Sequence, residues 1–104
     1  MIITTGEQIP NKQITQILGI ARGSTVRARN VGHDIFAGLK TLVGGEIHEY
    51  TKLQAESREQ SLQRMIEDAE KLGADAIIGV RLQSSTIMQG ASEILIYGTA
   101  VKIS

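Results

Sequence analysis

The stretch Arg64-Met65-Ile66-Glu67-Asp68-Ala69-Glu70-Lys71-Leu72-Gly73-Ala74-Asp75-Ala76-Ile77-Ile78-Gly79-Val80-Arg81-Leu82 constrains the fold more than any other part of the chain. Met65, Ile66, Ala69 and Leu72 recur at helical spacing, and Glu67, Asp68, Glu70 and Lys71 fill the other side. Gly73 stands where a left-handed C-terminal cap is needed. Ala76 to Leu82 is short, apolar and β-rich, the pattern of a strand buried on both faces. The segment predicts a helix stacked on a sheet, and it holds no catalytic chemistry.

With 104 residues and 41% hydrophobic content, the expectation is a single domain over residues 1–104 with one core. A chain of this size buries roughly 60–70% of its unfolded surface, so surfaces shared between subunits would add to a modest stability. Phe36, Tyr50 and Tyr97 are the only aromatic residues, so the core must rest on Ile, Leu, Val and Ala. Cysteine is absent, which excludes disulfides, thiolate metal sites and a cysteine nucleophile. No apolar run approaches the roughly 20 residues needed to cross a bilayer. Met1-Ile2-Ile3-Thr4-Thr5-Gly6-Glu7 lacks the basic region and long apolar segment of a signal peptide, so a cytoplasmic location is expected.

The formal net charge is zero but unevenly spread. Residues 1–45 hold five basic and two acidic side chains, residues 46–75 four and eight, residues 76–104 two and one. No strongly basic patch of the nucleic-acid-binding kind stands out. Two oppositely charged solvated surfaces, or complementary surfaces on neighbouring subunits, explain the asymmetry.

Along the chain, residues 2–5 read as a short strand, ended by the only proline, Pro10. From Gln13 a loose alternation predicts a long strand with a glycine bend or bulge. Arg22-Gly23-Ser24-Thr25 is expected to interrupt it before Val26–Arg29. A first helix is expected from Val31 or Asp34 to Val43, with Asn30 as N-cap and Gly44-Gly45 as its stop. A longer helix follows from about Glu46 to Leu72, with Lys52–Glu56 and Glu67–Lys71 at i,i+4 on an exposed face. Between Leu53 and Leu62 its only aliphatic residue is Ala55, so that stretch is either solvent-exposed or packed through small residues against another helix.

Two strands, about 75–84 and 93–103, close the chain around a turn at Met88–Ser92. The last is apolar on both faces: Ile94, Ile96, Gly98 and Ala100 point one way, Leu95, Tyr97, Thr99 and Val101 the other. One set should pack under the chain's own helices, the other under the N-terminal strands or a neighbouring subunit. The β–α–α–β–β order suggests a split crossover, with the first strand parallel to 76–84 and the last strand inserted between them.

Gly44-Gly45-Glu46-Ile47, Glu49-Tyr50-Thr51, Arg64-Met65, Leu72-Gly73-Ala74-Asp75-Ala76-Ile77 and Tyr97-Gly98-Thr99-Ala100-Val101 together resemble the YbjQ-like family, whose members carry a heavy-metal-binding label. The resemblance spans nearly the whole chain. It implies a two-layer α+β fold with a dodecin-like β-α-β-β core, helices on one face of a small, mainly antiparallel sheet, and an extra short N-terminal strand. It also implies a homopentameric ring. It brings no catalytic residues.

The residues themselves support the metal label weakly. A soft site wants thiolates or thioethers, and Met1, Met65 and Met88 form no cluster. Met65 reads as core filler. The remaining candidate ligands are His33, Glu46, His48 and Glu49, with Asp34 beside His33. On its own helix face His48 has only Gly44 and Lys52 four residues away, so a divalent metal would need ligands from different chains of an oligomer. His33-Asp34 are adjacent and would not face each other on a helix, and no nucleophile motif is present. Arg22-Gly23-Ser24-Thr25 lacks the lysine and spacing of a phosphate loop. Arg27 and Arg29 would share one strand face and could line a groove or a ring pore, with ordinary solvent exposure as the default. The expectation is a non-enzymatic, homo-oligomeric binding or scaffold module without a cofactor, with metal or small-ligand binding at subunit interfaces as the alternative.

Overall fold

The computed structural model describes residues 1–28 and 48–104. Four strands, β1 (Ile2–Ile3), β2 (Ile14–Ala28), β3 (Ala76–Met88) and β4 (Ala91–Ile103), form one mixed sheet, and the helix α1 (His48–Lys71) lies against it. The strand order is β1-β3-β4-β2. β4 is antiparallel to both its neighbours, so β2 and β3 run parallel with β4 between them, the inserted arrangement of a split crossover. The short β1 stands outside that unit, parallel to β3 on the far edge. The first helix expected at Val31–Val43, with its Asn30 cap and Gly44-Gly45 stop, lies outside the described residues.

β2 corrects the expectation of a break at Arg22–Thr25. It runs unbroken from Ile14 to Ala28, and its register with β4 slips only at Ile14/Gln16 and Ile17/Gly19. The second slip is the predicted glycine bulge. Gly23 marks a close approach instead of a loop: a methyl group built there would overlap the Ser61 carbonyl oxygen and the Met65 amide nitrogen, and lie 2.8 Å from Arg64 Cβ.

That approach explains the small residues in mid-helix. Ser57, Ser61, Met65 and Ala69 recur every four residues and are all buried. The stretch does pack through small side chains, and among the described residues its partner is the sheet. Met65 and Ala69 join Ala21, Ile77, Ile94, Ile96 and Ala100 in the core, and Leu62 packs against them half-buried. The expected stripe member Leu72 is 40% exposed, because the helix has already ended. Its stop is the predicted one: Gly73 has φ +80°, its N–H donates to Glu70 O, and Ala74 N–H donates to Ala69 O. These are the paired bonds of a Schellman motif.

β3 is longer than expected and less buried. Ala76 and Ile77 are fully enclosed, whereas every residue from Arg81 to Met88 is exposed. A bulge at Gly79-Val80 shifts its register against β4 between Ile78 and Arg81. The polar run Gln83–Thr86 hid the strand's second half, which pairing with β4 through Ser92 and Ala91 maintains. On β4 the expected division holds: Ile94, Ile96, Gly98 and Ala100 are all buried on the helix side.

Two substitutions test this packing. Gly23→Ala should destabilise by about 2–3 kcal/mol, because the obstructing atoms are helix backbone. Ile96→Asp would bury an unpaired carboxylate and cost several kcal/mol, enough to unfold the chain. Urea denaturation followed by far-UV circular dichroism reads both.

Candidate functional site

Beside the buried stripe of α1 runs a second one, polar, at Glu56, Gln60, Arg64 and Asp68. It reaches the outer edge of β2, the last strand of the sheet. Asp68 Oδ2 accepts from the Arg22 backbone N–H at 3.0 Å, and Arg64 Nη1 donates to Ser24 O at 2.6 Å. Arg27 Nη1 and Nη2 donate to Glu56 Oε2 and Gln60 Oε1, each at 2.9 Å. Glu56 therefore answers Arg27 rather than only facing Lys52 along the helix. Arg27 itself is tied to α1. The expectation of an exposed polar face missed this stripe. Its signal was in the spacing, since each member immediately precedes a buried residue of the inner stripe.

On the inner stripe, Ser61 donates to Ile94 O at 2.9 Å and accepts from the Thr25 hydroxyl, also at 2.9 Å. All three groups are occupied, and the arrangement holds a helix to a sheet; no base stands by to activate a nucleophile.

The opposite face of the sheet is different. There Ile20 on β2 stands beside Thr99, Arg22 beside Tyr97, Ser24 beside Leu95 and Val26 beside Glu93. Ile17 and Ile20 are 70% and 68% exposed, Val26 58%, and Leu95 is half-buried. Only the end near Val101 and Ala76 is closed. The chain crosses that end between Thr4, whose N–H donates to Ile77 O, and Gln13, which bonds Ser104. Arg81, the other neighbour of Tyr97, turns its Nη1 to Thr5 O and Val80 O and braces the β3 bulge.

The expected metal ligands are not brought together in the described residues. His33, Asp34 and Glu46 lie outside them. His48 and Glu49 occupy successive positions in the first turn of α1. Among the described residues no three His, Cys, Asp or Glu side chains are grouped to hold a metal ion. Met65 is sealed in the core and Met88 is at the β3–β4 hairpin tip, so no thioether cluster forms. No described helix is long and apolar enough to cross a membrane.

Fold and surface together define a two-layer α+β domain whose helix covers one sheet face and leaves most of the other open. A family model described as "Putative heavy-metal-binding", of the YbjQ type, matches residues 1–104. The chain belongs to this family. It is 56% identical over 103 residues to a UPF0145 protein of Methanosarcina acetivorans, an alignment covering 99% of this chain and 97% of that one. A UPF0145 protein of Archaeoglobus fulgidus is 53% identical over 103 residues, covering 99% and 95%. A crystal structure from Pediococcus pentosaceus, a protein of unknown function in the DUF74 family, shares the fold with a TM-score of 0.71 and 18% identity, covering 100% of this chain and 98% of that one.

The site geometry separates two roles. Ser61→Ala removes a buried hydroxyl bridge and should cost about 1–3 kcal/mol. Arg27→Met breaks an ion pair whose side chains are 29% and 48% exposed, and should cost less than about 1 kcal/mol. Denaturation midpoints of the two variants at matched slopes would check the contrast.

Proposed function

We propose that the chain acts as a non-enzymatic, homo-oligomeric binding or scaffold module in the cytoplasm, assembled as a pentamer and needing no cofactor, membrane or nucleic acid. The observation that carries this reading is the open sheet face. Ile17, Ile20 and Val26 stand largely exposed there, and Leu95 and Tyr97 share the face across from Ser24 and Arg22, with no element of the described chain over the exposed isoleucines and valine. A face with several large apolar side chains exposed among polar ones is the kind that proteins cover with a partner. Identical copies are the simplest source of one. The pentameric number comes from the family resemblance. The non-enzymatic reading rests on the sequence, which carries no cysteine and no nucleophile motif.

A second reading is favoured by the description of the family itself: a divalent metal or small ligand held at subunit boundaries by His33, Glu46, His48 and Glu49. Copies meeting in a ring would bring ligands from different chains within reach.

Native mass spectrometry of untagged protein should show a pentamer, and a stable folded monomer at micromolar concentration in sedimentation would overturn the assembly. Leu95→Asp places a charge on the open face and should yield dissociation or aggregation of a chain that still folds, in contrast to Ile96→Asp. Calorimetric titration with Zn, Cu and Ni tests the second reading, which is retired if nothing binds tighter than about millimolar.

A further inference from the structure

An edge strand offers unpaired N–H and C=O groups to any passing strand, and β2 is such a strand over fifteen residues. Its composition makes the hazard real. Ile17, Ile20 and Val26 are exposed on one face, and the strand contains no proline. Arg22 and Ser24 are the positions at mid-strand whose backbone groups point away from β4. Two of those four groups are already taken: the Arg22 N–H by the carboxylate of Asp68 and the Ser24 carbonyl by the guanidinium of Arg64.

We propose that Arg64 and Asp68 form a guard that closes the edge of β2 to strand addition by a second copy of this chain. The chemistry is matched group by group. An antiparallel docking strand pairs with the N–H and C=O of each outward residue, and α1 occupies one group of each pair, giving an anion to the Arg22 N–H and a cation to the Ser24 carbonyl. Both come from one helix face, because four residues of helix advance about 6 Å and two residues of strand about 7 Å. Glu56 and Gln60 extend the same stripe to Arg27, so the guard is anchored beyond the two groups it closes. The device concerns the strand's edge and not its face, and so stands apart from the assembly proposed above.

Amide exchange followed by NMR on the intact protein reads the guard directly. In Asp68→Ala the Arg22 amide should exchange roughly tenfold faster, the loss of one charge-assisted hydrogen bond. The amides of Ala21 and Gly23, which face β4, should keep the parent rates. Asp68→Asn retains an acceptor and should preserve most of the protection. The double variant Arg64→Ala/Asp68→Ala should form larger β-rich species with rising concentration in sedimentation, while the parent keeps one size. Unchanged Arg22 exchange in Asp68→Ala overturns the proposal, and so does a folded double variant whose size follows that of the parent. Should the double variant unfold, the single-variant exchange rates decide.

Discussion

At Gly23 the strand presents no side chain, and the backbone of α1 at Ser61 and Met65 comes so near that a single methyl group would overlap both. That approach sets the spacing between the two layers. Serines can line the helix side because there is no room for more, and the Ser61 hydroxyl is placed where it can bridge Thr25 and the Ile94 carbonyl. Met65 and Ala69 then reach Ile94, Ile96 and Ala100 without leaving a gap. A wider spacing would break the hydroxyl bridge and the core contacts together.

The same closeness brings the flank of α1 within reach of the strand's edge. Asp68 and Arg64 bond backbone groups directly because they start from a helix already seated against the strand. One face of the sheet and one of its edges are thus served by a single helix. Among the described residues, what remains open is the other face, where Ile17, Ile20 and Val26 stand among polar neighbours, and the far half of β3 from Arg81 to Met88.

Much of this architecture was legible in the residues. The Gly73 stop, the Met65 and Ala69 stripe, the bulge near Gly19 and the two-faced last strand each follow from a local pattern with one physical meaning. Gly23 misled because a glycine in a strand reads equally well as a loop or as a point where another backbone comes close; only the location of α1 separates the two. The far half of β3 misled because Gln83, Ser84 and Ser85 carry no apolar alternation, and its pairing partner lies across a turn. The polar stripe Glu56–Asp68 was hidden for a third reason: charges at helical spacing look the same whether they meet water or a strand edge. The candidate ligands were legible only as residue types, since two of the four, His33 and Glu46, fall outside the described residues and the other two sit side by side on one turn.

Two rulers with unequal divisions lie side by side where α1 runs along β2. From Asp68 to Gln60 the helix advances by about 12 Å, whereas from Arg22 to Val26 the strand advances by nearly 14 Å. The marks agree where Asp68 meets Arg22 and Arg64 meets Ser24, and there short links to the backbone suffice. By the next division they have slipped by roughly 1.5 Å, and the connection passes to a long, extensible arginine, Arg27, reaching for Gln60 and Glu56. The direct fit of a straight helix to a strand is therefore self-limiting in length. Toward its N-terminus α1 already runs past the reach of those backbone contacts, and a flexible side chain, Arg27, makes the link there.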